Sequence, residues 1–159
     1  MVQLHGLAPI PAADRIAANS AIRKFGWILE HELKARVIDQ FRNVISGDAQ
    51  LKEQADTDSD PKLRDKFSRY VARKHGELSL GSMLGALKHC RDSSIQTHVE
   101  FGRFVEARFP RLLSALADIK TVNDYRDAAS HPTRVFDRAT ALMVANACRT
   151  SLDALRPSP

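Results

Sequence analysis

The densest group of functional side chains in the chain is Asn123-Asp124-Tyr125-Arg126-Asp127-Ala128-Ala129-Ser130-His131-Pro132. Arg126 and His131 stand five positions apart, within reach of a common ligand if both lie near one helix end. An arginine presents a planar, permanently charged fork of donors that grips a phosphate. A histidine, with an ordinary pKa near ~6.5, takes or gives a proton at neutral pH. Cleaving RNA without a metal needs those two services: one group stabilises charge on the phosphate, and another moves a proton for the 2′-hydroxyl or the leaving oxygen. Asp127 could orient Arg126 or the histidine ring. The plainer alternative is that Arg126 and His131 cap carbonyls at the negative pole of a helix, with Asp127 paired to Arg126. The spacing alone does not choose between the two.

The elements that must position these residues read as helices throughout. No clean two-residue alternation lies between turn signals, so strands are not supported. From about residue 12 to 45, Ile22, Phe25, Leu29, Leu33, Val37, Phe41 and Val44 recur at three- and four-residue steps and give one apolar stripe. Asn19-Ser20 could cap a separate start, and Gly47 stops the run. Residues 46–60 are polar and read as a loop. Asp60-Pro61 supplies a cap and a first-turn proline, ahead of a helix carrying Leu63, Phe67, Tyr70 and Val71 inward and ended by Gly76. Ser79 opens the next helix, with Leu80, Met83, Leu84 and Leu87 inward, and Gly81, Gly85 and Ala86 small enough for close approach of a neighbour. Residues 95–109 continue the pattern until Pro110. Leu112, Leu113, Leu116, Ile119 and Val122 then carry a helix into the Arg126 segment, which Pro132 obliges to end by about Ser130. A last helix spans about residues 136–155, with Leu142, Met143, Val144, Ala147 and Leu152 as core candidates. The expected architecture is all-α: one helical domain over residues 12–156, a bundle of four to five main helices, with an extension at 1–11 and a tail at 157–159.

Composition sets the frame. With 159 residues, 43% apolar and 27% charged, the chain has the balance of an ordinary globular domain with a real core. Cys90 and Cys148 are too few for a disulfide framework and read as small buried apolar side chains. No run approaches the ~20 apolar residues of a membrane span. Residues 1–11 lack the basic start and apolar stretch of a signal peptide, so a cytoplasmic location is expected. The net charge of +5 and a pI near 9.5 favour polyanionic partners. The histidines at 31, 75, 89 and 98 form no metal-ligand spacing, Gly81-Ser82-Met83-Leu84-Gly85 lacks the lysine of a phosphate loop, and no nucleophile elbow is present. Neither a metal nor a cofactor is expected.

Arg126, Asp127 and His131 fill the three positions of the signature of the HEPN superfamily, Arg-x4–6-His with a polar residue after the arginine, which this segment resembles. The placement late in an all-helical domain, shortly before the last helix, is similar as well. Glu77-Leu78-Ser79-Leu80-Gly81-Ser82-Met83-Leu84 resembles the Leu-Gly helix start of several branches. The resemblance implies a metal-independent endoribonuclease whose active site is composite, formed in a homodimer by two copies of Arg126 and His131. The 2′-hydroxyl attacks the adjacent phosphorus and leaves a 2′,3′-cyclic phosphate and a 5′-hydroxyl. By that resemblance Arg126 binds phosphate, His131 transfers a proton or stabilises the phosphate, and Asp127 orients. It also implies a toxin or phage-defence effector, held in check by an antitoxin or a sensor protein. Thr133 stands where the toxins switched by nucleotidyl transfer carry a tyrosine, so that branch does not fit.

The rival reading is a helical dimerisation or interaction module of a larger defence or regulatory protein. An enzyme needs Arg126 and His131 open to a cleft, whereas a module buries them in bonds to their own chain. A DNA-binding domain would need a recognition helix after a tight turn, which is not found. Of the remaining cations, Arg134 and Arg138 follow His131 and are the better placed for RNA. Lys62, Arg64, Lys66, Arg69, Arg73 and Lys74 concentrate on one helix that could guide phosphates, or simply form a solvated face. With 6% aromatics, mostly at stripe positions, stacking of bases is not indicated, and Trp27 is expected in the core or an interface.

Overall fold

The computed structural model describes residues 11–59, 65–73 and 76–157, with nothing to be said of the Arg73 side chain. Among these residues there is no strand. The α-helices are α1 (Ala12–Leu33), α2 (Asp39–Gly47), α3 (Ala49–Asp58), α4 (Lys66–Arg73), α5 (Leu80–His89), α6 (Gln96–Arg108), α7 (Leu116–Ala129) and α8 (Arg138–Ala154). A π segment, Lys34–Ile38, joins α1 to α2 in one rod, so the described residues form seven helical rods rather than four or five.

That rod explains the long stripe. Leu29, Leu33, Val37 and Phe41 are spaced by four, and on an ideal α-helix they would drift by about 120° around the axis. The wider π turn absorbs much of that drift, and all four side chains are buried. The helix passes unbroken through Asn19-Ser20, so no separate start exists there. Val44, at the far end of the stripe, is 44% exposed, and Ile45 takes its place in the core.

Two groups of helices share the rod. On one side α1 packs against α7 and α8, which also pack on each other. On the other, α2, α3, α4 and α6 enclose an aromatic cluster in which Phe101 sits 5.1 Å from Phe41 and 4.7 Å from Phe67, ring centre to ring centre. Helix α5 bridges the groups through contacts with α4 and α7.

Residues 46–60, expected as a loop, contain α3. Its cap is strong: the Asp48 carboxylate accepts from the backbone N–H groups of Gln50 (2.9 Å) and Leu51 (3.0 Å). The helix shows little periodicity because it turns only a narrow face inward, chiefly Ala55 and the half-buried Leu51. Helix α4 is capped by Asp65, which accepts from Phe67 and Ser68; the expected cap at Asp60-Pro61, with Lys62, Leu63, Arg64, Lys74 and His75, lies outside the described residues, as do the extension over 1–10 and the last two tail residues. Ser79 caps α5 by accepting from Ser82 N–H (3.2 Å). Gly81 sits 3.6 Å from Asn123 of α7, measured from an ideal Cβ, while Gly85 faces open space and allows no close approach. Both cysteines are free and buried. In α8, Val144 and Ala147 are buried, but Leu142 and Met143 are 57% and 41% exposed and do not belong to the core. No helix among the described residues is long and apolar enough to cross a membrane.

Candidate functional site

Helix α7 ends at Ala129, as Pro132 requires, and brings Arg126 into its last turn against α1. The arginine stem crosses α1 at Gly26. A Cβ there would lie 2.4 to 2.8 Å from the Cδ, Cγ and Cβ atoms of Arg126, so only glycine admits this crossing. A glycine inside a helix costs about 1 kcal/mol relative to alanine, and here that cost opens a seat for a long cation.

The guanidinium is met by three side chains. Nη1 donates to Glu30 Oε2 at 2.5 Å, Nε and Nη2 donate to Asp127 Oδ1 at 3.3 and 3.1 Å, and Nη2 reaches Asn123 Oδ1 at 3.5 Å. Glu30 Oε2 also accepts from the backbone N–H of Leu80 (2.7 Å), at the start of α5. One carboxylate oxygen therefore ties together α1, α5 and α7. Burial works against the charged guanidinium, but its bonds to Glu30 and Asp127 prevail and raise its pKa further above the ordinary value. The Arg126 side chain is 21% exposed, Glu30 31% and Asp127 61%. The two acidic partners thus differ: Glu30 is half-buried and shared with backbone, and Asp127 stands in solvent.

His131 lies beyond the helix end in an exposed turn. Its N–H donates to Ala128 O (3.2 Å) and its carbonyl accepts from Arg134 N–H (3.1 Å). No described side chain bonds to its ring, and no bond joins it to Arg126 or Asp127. The turn is held from α1 by Asn19, whose side chain donates to Arg134 O (2.8 Å) and accepts from Phe136 N–H (3.1 Å). Tyr125 and Phe136 pack edge to face at 5.3 Å beneath it. The structure thus places Arg126 and Asp127 together, and leaves His131 open five residues on. Arg134 is exposed in the same turn. Arg138 is exposed at the start of α8 and lines a cleft of about 320 Å³ with Asp14, Ala17, Ala18, Ala21 and Ala141. Arg69 lies on α4, in the other helix group, as does the backbone of Arg73.

Three residues of this arrangement carry no sequence signal that singles them out. Glu30 and Gly26 lie about a hundred residues before Arg126, and Asn19 reads locally as a cap. Trp27 does not take the first of its two expected places, the core. It is 63% exposed rather than in the core, and its indole stacks nearly parallel on the exposed His31 ring at 5.6 Å. Both rings line a cleft of about 510 Å³, together with Glu30, Lys34, Lys66, Glu77, Leu78, Ser79 and Ser82. That cleft meets the Arg126 cluster through Glu30, while neither Arg126 nor His131 lines it. Among the described residues, no group of three or more His, Cys, Asp and Glu side chains is placed to hold a metal ion.

Comparison of the chain with family profiles, with curated proteins and with solved structures gives no match.

Proposed function

We propose that the chain is a HEPN-type, metal-independent endoribonuclease, with Arg126 binding the scissile phosphate and His131 moving the proton. The observation that carries this reading is a fixed guanidinium with one exposed, replaceable partner, close in sequence to an exposed imidazole whose ring no described side chain bonds. Glu30 and Gly26 hold the arginine stem in place. Asp127 occupies the outer edge of the guanidinium in the resting protein, and a phosphate takes over those donors as a bidentate ligand. The 2′-hydroxyl loses its proton and attacks phosphorus, and the 5′-oxygen takes up a proton as it leaves. The products are a 2′,3′-cyclic phosphate and a 5′-hydroxyl. Arg126 stabilises the charge that grows on the phosphoryl oxygens, and His131 serves the proton transfer.

In this reading two copies form the working site. Val135, Leu142 and Met143, on the segment that follows His131, are exposed apolar side chains of the kind an interface covers. Restraint by an antitoxin or a sensor protein belongs to the same proposal, as does a role in defence.

A specific observation also favours the second reading, a non-catalytic interaction module. Arg126 makes its bonds within its own chain, which is what a structural pin does. The test is cleavage of total RNA in EDTA by the parent, Arg126→Ala and His131→Ala, each with its unfolding midpoint. The ribonuclease reading expects cutting by the parent with cyclic-phosphate ends, lost in both variants, and a folded His131→Ala as stable as the parent. A folded parent dimer that leaves all RNA intact supports the module instead.

A further inference from the structure

We infer that the cleft lined by Trp27, His31, Lys34 and Lys66 is a subsite for single-stranded RNA, in which an unpaired base stacks on the Trp27 indole and flanking phosphates meet the two lysines. A tryptophan exposed to 63% leaves a large apolar surface in water. Its position does not arise from loose chain, because Trp27 sits in mid-α1 with its neighbours Ile22 and Leu29 fully buried. The indole is pre-set by its parallel stack on His31, so little side-chain freedom remains to be lost when a ring lands on it. Every base has a π face, which makes such a platform tolerant of sequence and selective for unstacked strands.

The charges around it suit a phosphodiester. Lys34 packs its ammonium 5.2 Å from the centre of the Tyr70 ring, and Lys66 is exposed on α4. No acidic side chain among the described residues forms an ion pair with either. Of the two carboxylates that line the cleft among the described residues, Glu30 is bonded to Arg126, and Glu77 forms no ion pair with a described residue. A volume of about 510 Å³ accommodates one nucleotide and the start of the next. The cleft and the Arg126 site share Glu30, so a strand lying in one runs toward the other. The assignment rests on the ribonuclease reading for the direction of that strand, and on the cleft alone for its binding.

Trp27 is the only tryptophan of the chain, so its fluorescence reports the cleft directly. The probe is a single-stranded 2′-O-methyl hexanucleotide, which lacks the nucleophile and cannot be cut. Titration into the full chain is expected to change the emission saturably, and a strand with abasic positions throughout is expected to leave it unaltered. With a dye-labelled strand followed by anisotropy, Trp27→Ala should bind roughly ten-fold more weakly and Trp27→Phe should retain most of the affinity. Replacing both Lys34 and Lys66 by alanine should flatten the slope of log affinity against log salt by about 1.4, the value for two phosphates of a single strand. Unchanged emission at saturation, or equal affinity of Trp27→Ala, overturns the subsite. A parent that cuts RNA while Trp27 stays silent refutes the subsite alone; one that binds the strand through Trp27 and cuts nothing refutes the ribonuclease alone.

Discussion

Two polar clusters, one in each helix group, solve the same problem with different degrees of closure. In the first, Glu30, Arg126, Asp127 and Asn123 join α1, α5 and α7. In the second, Asp58 accepts from Thr97 N–H (2.8 Å) and Thr97 Oγ1 (2.6 Å), and Asp65 accepts from His98 Nε2 (2.8 Å) and from the Ser68 hydroxyl. These bonds tie α3 and the cap of α4 to α6. Asp65 and His98 are 14% and 10% exposed in their side chains, whereas Asp127 is 61% exposed. The closed cluster spends its charges on one another in a poorly hydrated setting. The open one keeps a carboxylate in water on one edge of a charge that is fixed on the other. The difference is what separates a clamp from a site that can exchange a partner for a ligand.

The comparison breaks most visibly on the closed side. Replacing His98 with alanine leaves Asp65 half-buried without its main partner, and should cost about 3 kcal/mol, toward the low end for a broken buried pair. The urea midpoint measures it; a loss under about 1 kcal/mol would make this cluster no tighter than a surface pair. The same contact sets an acid limit. Burial pushes the Asp65 carboxyl up, but the hydrogen bonds from His98 and Ser68 and the charge of His98 outweigh it, holding the pKa at about 2 against 3.8. A carboxylate whose folded pKa is depressed contributes stability above its unfolded value, and loses it as pH falls through the folded one. Stability should therefore decline between about pH 4 and pH 2. In His98→Ala the share owed to His98 should be lost, while the Ser68 bonds remain, so the decline should be shallower than in the parent.

On the open side the larger effect belongs to Gly26. An alanine there must push the Arg126 stem away, and because the contact includes Cβ as well as the flexible end, backbone has to move. A loss of about 1–2 kcal/mol is expected from overpacking, accompanied by lost RNA cleavage. A Gly26→Ala protein with unaltered cleavage would show that Arg126 need not lie across α1 to act.

The parts of this arrangement legible in the sequence are those held by local chemistry. The end of α7 follows from Pro132, the start of α5 from Ser79, and the long first rod from its four-residue steps, which also contain the trace of the π turn. Helix α3 escaped because its face is polar and its cap, Asp48, lies within a stretch dominated by loop-forming residues. Leu142 and Met143 escaped for the opposite reason: they join the apolar run of the last helix, and periodicity cannot say whether a stripe is covered. Trp27 lies off the stripe of the first rod, and its residue type alone points to the core or an interface. Within the candidate site, Arg126, Asp127 and His131 stand out by density of function. Their support does not. Glu30 and Gly26 reach Arg126 only through the packing of α1 on α7, a contact about a hundred residues apart in the chain, and a glycine in a helix signals nothing until its neighbour is known.

The smallest expected effect is the sharpest test of the difference between the clusters. Asp127→Asn keeps an acceptor beside Nε and Nη2 of Arg126 and removes the charge. An exposed ion pair contributes about 0–1 kcal/mol, and Glu30 continues to hold Nη1, so the unfolding midpoint should barely move. The ligand side responds differently. Arg126 is left facing one carboxylate instead of two, and a phosphate no longer has to displace a like charge from the guanidinium edge. RNA affinity should rise several-fold, read as a lower KM. If Asp127→Asn instead unfolds as readily as a variant of Asp65, both clusters are clamps, and Arg126 is held too firmly for exchange. If stability and KM both stay put, Asp127 is a bystander on the rim of the site, and Glu30 alone sets the charge that a phosphate meets at Arg126.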